Sequence, residues 1–71
     1  MPYVNVKLVE GVFDDAQKQE MLSRITETMV DIEGEALRPY TFVTIEELRS
    51  GDWCVGGQMI TTQAARALRA V

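Results

Sequence analysis

The sequence predicts an α+β domain, a β-α-β unit followed by a C-terminal hairpin. Three patterns carry this expectation. Residues 2–9, PYVNVKLV, alternate, with Val4, Val6 and Leu8 on one face and Tyr3, Asn5, Lys7 and Val9 on the other. That is the period of a half-buried strand. A helix-start signal at Asp14 and Gln17 opens a run with apolar residues at spacings of three and four. A second strand-like run, YTFVTIEE at 40–47, follows and leads into glycine-marked turns.

Each element has its own signals. Glu10-Gly11 ends the first strand. Asp14 is the expected N-cap, with Gln17 as its capping-box partner, and Asp15 puts negative charge where the helix dipole favours it. Leu22, Ile25, Met29 and Ile32, with Met21 beside them, form one apolar stripe, and the methionines read as core packing. Gly34 is a natural stop, so the spacing predicts a helix over 15–33. A crossover of this length is what two parallel strands require, and it should be right-handed. Ser50-Gly51-Asp52 marks a turn, and Gly56-Gly57 fits either backbone conformations closed to other residues or close approach of another chain. Thr61 or Thr62 caps a short C-terminal helix through Ala64, Ala65 and Leu68. The weak stripe of that helix predicts a tail that packs on a neighbour or frays. No repeat or linker divides residues 1–71, which read as one domain.

Size makes partners necessary. A chain of 71 residues buries only about 60% of the surface its unfolded form exposes. A single cysteine, Cys54, allows no internal disulfide, and without histidine there is no zinc site of mixed ligands. Glu46 and Glu47 are adjacent on a strand and so point to opposite faces, which argues against a carboxylate-only metal site there. Copies of the same chain are the remaining staple: two would pair into a four-stranded sheet carrying two helices. The net charge of −4, from 7 basic and 11 acidic residues, argues against nucleic acid and against an anionic membrane surface. No apolar run reaches the roughly 20 residues of a membrane span, and no signal-peptide pattern opens the chain. A lone thiol fits a reducing compartment, so the cytoplasm is expected.

The usual catalytic sets are missing. There is no histidine for a triad, and no GxxxxGK[ST] loop for phosphates. Cys54 has no basic neighbour in sequence and reads as a small hydrophobe. The expectation is therefore chemistry without metal or cofactor. Position 2 stands out. The initiator methionine is normally removed from Met-Pro because the second residue is small, leaving a secondary amine at the start of a strand. An α-amino group has an unperturbed pKa of roughly 7.7–8.0, and burial or a nearby cation lowers it toward the range that general acid–base catalysis prefers. The plainer alternative is that Pro2 merely opens a strand, where proline is tolerated.

PYVNVKLVEG, the helix start DDAQKQEML and IEELRSGDWCVGG resemble the 4-oxalocrotonate tautomerase family over nearly the whole chain up to about Gly57. The resemblance implies a β-α-β subunit, usually a trimer of dimers, with sites at subunit boundaries. It also implies proton transfer at a carbon next to a carbonyl, with Pro2 as base and then acid, on a small carbonyl acid. Trp53 falls where the family has an active-site aromatic, and Val9 matches an apolar residue of the pocket wall. The family's arginine just after Glu-Gly is absent, with Val12 and Phe13 in its place, and its second arginine falls on Thr41 or Phe42. Arg38, entering the second strand, is the expected substitute, because its fork of donors suits a carboxylate or an enolate oxygen. Arg49 and Lys7 are lesser candidates. Two alternatives stay open on the sequence: hydration or dehalogenation by the same proline, and a non-catalytic oligomeric binding subunit.

Overall fold

Strand β1, Tyr3–Val9, pairs in parallel with β2, Phe42–Leu48, from Tyr3 beside Phe42 to Val9 beside Leu48. The computed structural model describes residues 1–70. Between these strands runs helix α1, Asp15–Glu33, over the span the spacing predicts. Its start is the expected capping box: Asp14 Oδ1 accepts the Gln17 N–H at 2.8 Å, and Gln17 Oε1 accepts the Asp14 N–H at 3.0 Å. Gly34 ends it at φ +103°, donating its N–H to the Val30 carbonyl.

The inward stripe of α1 differs from the expected one at its end. Leu22, Ile25 and Met29 are half-buried and Val30 is buried, whereas Ile32 is 78% exposed. At about 3.6 residues per turn, Val30 and Glu33 continue the face begun by Leu22, and Ile32 swings to its flank. The helix covers the sheet face of Val4, Val6, Leu8, Val43 and Ile45, and Lys18 of α1 reaches Glu47 at 2.8 Å. On the opposite face Lys7 pairs with Glu46 at 3.0 Å, and Asn5 Nδ2 donates to Thr44 Oγ1 at 2.7 Å. Glu46 and Glu47 thus diverge to opposite faces.

β2 begins two residues later than the sequence predicts. Pro39 and Tyr40 belong to a 3₁₀ turn, Glu35–Tyr40, closed by the Thr41 N–H on the Arg38 carbonyl. The fixed φ and missing N–H of proline suit that turn better than a ladder.

After β2 the chain forms a hairpin of β3, Trp53–Val55, and β4, Gln58–Ile60. Gly56 and Gly57, at φ +58° and +85°, supply the two left-handed residues of a two-residue turn. A Cβ on either would meet nothing of the same chain within 4 Å among the described residues, so within one subunit it is the torsion that demands glycine. Helix α2, Thr62–Arg69, is capped by Thr61, whose Oγ1 accepts the Ala64 N–H at 3.0 Å. It is helical to Arg69 and tied at its start to the loop after β1. Thr62 Oγ1 donates to the Glu10 carbonyl and Arg66 Nε to the Gly11 carbonyl, both at 2.7 Å.

The core is thin. Among the described residues only Val9 and Val30 are buried apolar side chains, while Tyr3, Phe42, Val55, Met59 and Leu68 are each at least half exposed. Among the described residues no helix is long and apolar enough to cross a membrane.

Candidate active site

The end of β1 builds an apolar groove of about 510 Å³. Val9 is its buried floor, Val12 and Phe13 come from the loop into α1, and Trp53 opens the hairpin. Hydrogen bonds from backbone N–H groups fix this arrangement. The Glu10 N–H donates to the Leu48 carbonyl, the Ser50 N–H to Glu10 Oε1, and the Gly51 N–H to the Ile60 carbonyl opposite Trp53. The sequence-expected pair Val9 and Trp53 therefore meets in one wall.

Two cations border the groove, Lys7 and Arg69, and among the described residues no carboxylate lines it. The Lys7 ammonium is spent on Glu46, whose carboxyl it holds below the usual carboxylate range. Arg69 places its guanidinium carbon 4.7 Å from the centroid of the Phe13 ring. Such stacking on an aromatic face is a favourable cation–π contact. Neither Arg69 nor the Val12–Phe13 wall was among the site residues expected from the sequence. The signal was present: Ala65, Leu68 and Arg69 lie at i, i+3 and i+4 on α2, and all three face the groove.

Pro2 and Arg38 lie elsewhere. Pro2 is half-buried before the other end of β1, roughly 23 Å from Val9 at the usual strand rise. Its carbonyl accepts the Phe42 N–H at 3.1 Å, and Met1 projects beyond it, 80% exposed. Arg38 sits at that same end, in the turn before β2. It is ion-paired to Glu35 at 2.6 Å and to Glu27 at 2.8 Å, and these partners raise its pKa above its ordinary value, Glu35 most. In return its guanidinium holds the Glu35 carboxyl below the usual range. Arg49 is exposed and reaches Asp52 at 3.4 Å.

An aromatic-walled apolar groove, a strand opening on proline and a β-α-β frame define a class of small isomerases. A family model described as tautomerase enzyme matches residues 2–63. The 2-hydroxymuconate tautomerase of Bacillus subtilis (strain 168) is 36% identical over 61 residues, 86% of this chain and 95% of its own. Probable tautomerase K2 of Dickeya dadantii (strain 3937) is 28% identical over 94% of this chain and 98% of its own. The crystal structure of YwhB, a homologue of 4-oxalocrotonate tautomerase, superimposes with a TM-score of 0.72 at 34% identity, covering 82% of this chain and 92% of that one. The chain belongs to the tautomerase family. It is an isomerase of the 4-oxalocrotonate tautomerase type.

Proposed function

We propose that the chain moves a proton on small 2-oxo or enol carboxylic acids, with the Pro2 amine as base and then acid after Met1 is removed. One observation carries this reading. Pro2 and the Val9–Trp53 groove occupy opposite ends of the same edge strand. Antiparallel pairing of β1 with β1 of a second copy sets the proline of each chain beside the groove of the other. The site is then complete only between subunits, and the pairing also makes the four-stranded sheet that a two-stranded one needs for stability.

A second apolar patch supports further assembly. Met59 and Ile60 of the hairpin lie beside Ala64 and Leu68 of α2, and Met59 and Leu68 are 61% and 74% exposed. Three such dimers would make a homohexamer. The exposed free thiol of Cys54 supports a reducing compartment, the cytoplasm. No step of this chemistry calls for a metal or cofactor. Arg38 joins the site only on release from Glu27 and Glu35.

The amine is tested by intact mass and kinetics together. Protein from its native host should lack Met1 and should ketonise simple enol acids. Pro2→Ala, likewise processed, should lose on the order of 10²–10⁴-fold in kcat, the usual weight of a positioned base. Undiminished turnover in that variant would overturn the proline mechanism.

A further inference from the structure

We infer that Arg69 is the anion-holding and specificity-determining residue of the groove, brought there by α2. This rests on the reading of the groove as a substrate pocket.

Charge accounting leads to Arg69. The chain has seven basic side chains. Lys7, Lys18, Arg24, Arg38 and Arg49 are each in an ion pair with a carboxylate. Arg66 donates to the Gly11 carbonyl. Among the described residues Arg69 alone has neither a carboxylate nor a carbonyl partner, and its contact is the Phe13 ring. A guanidinium on an aromatic face keeps its in-plane N–H donors available, and those donors match a carboxylate in fork geometry. It does so at the rim of a groove that no acid among the described residues lines, in a chain of net charge −4.

Position supplies the second argument. The loop after Glu10-Gly11 carries Val12 and Phe13 and has no cation of its own. α2 returns to that loop and is fastened there by Thr62 and Arg66, which sets Arg69 over Phe13. Arg66 and Arg69 lie outside the residues 2–63 that the family model matches. The anion site of this chain thus comes from its own C-terminal helix. Arg66 is a positioning residue, and Arg69 touches the ligand. The ligand that fits has an apolar body for Val9 and Trp53 and a carboxylate at the α2 end.

Trp53 is the only tryptophan, so its fluorescence reports occupancy without turnover. The assembled protein is titrated with phenylacetate and with its neutral analogue phenylacetamide. Wild type should bind the carboxylate tighter by about tenfold or more, the weight of a charge-assisted hydrogen bond. Arg69→Gln should erase that preference, Arg69→Lys should restore part of it, and Lys7→Met should retain most of it. Equal affinity of wild type for the two probes would overturn the assignment whether or not any variant folds. So would a preserved preference in Arg69→Gln, or an equal loss in Lys7→Met. Because binding is read apart from catalysis, failure of the Pro2 mechanism leaves this test intact. Passing the Pro2 test does not rescue a groove that ignores charge.

Discussion

Gly11 holds φ +75°, and a Cβ there would lie 3.1 Å from Thr62 Cγ2. Both the torsion and the space require glycine, at the point where α2 is fastened to the loop. Gly11→Ala should destabilise the chain by about 1–2 kcal/mol from the left-handed backbone alone. The contact with Thr62 should also loosen α2. Chemical denaturation would show a lower midpoint, and quenching of Trp53 by iodide should increase. Val9 and Trp53 were legible as neighbours because the resemblance set both on one pocket wall, and both line the groove. Arg69 was not, because its role depends on a contact with Phe13 made across the fold. The ion pairs of Arg38 were also hidden in the sequence, since Glu27 lies on α1 and meets it only once the turn packs against the helix.

Local chemistry decided how well the elements could be read. The limits of α1 were legible because both ends are fixed by side-chain or glycine signals: the Asp14–Gln17 box and Gly34. Asp14→Ala removes the acceptor for the Gln17 N–H and should cost about 1 kcal/mol. Thermal melting should show it, with Asp14→Ser close to wild type. The start of β2 was misplaced because Tyr40 has strand character in isolation, while Pro39 and the Thr41–Arg38 bond draw it into the turn. The fate of α2 was unreadable for another reason. Its partners are the backbone carbonyls of Glu10 and Gly11, and main-chain acceptors leave no mark in a sequence. The pairing of glycines at 56 and 57 was legible, and their positive φ angles bear out the expected backbone conformations.

For the whole molecule the deciding quantity is the size of the core. Two buried apolar side chains among the described residues, set against a sheet face that shows Tyr3 and Phe42 outward, leave a single copy with little to hold it. Assembly and activity should therefore be lost together. On dilution, specific activity should fall over the same concentrations at which sedimentation shows dissociation from about six times the 8.0 kDa chain mass. Phe42→Glu should move both transitions to higher concentration. Activity that persists in a monomer would separate the two.

The sheet grips Pro2 by its carbonyl, through the Phe42 N–H, and leaves the ring nitrogen outside the hydrogen-bonded ladder. The same fold can thus carry that nitrogen as an amide, an ammonium or a free amine. On the proposed mechanism, chemical competence and folding are independent properties of this chain. A form that keeps Met1, or any peptide fused ahead of Pro2, would assemble normally and enter oligomers as a silent subunit. Such a subunit would still lend its groove to the proline of its neighbour. Mixed assemblies would then lose turnover in proportion to the blocked amines.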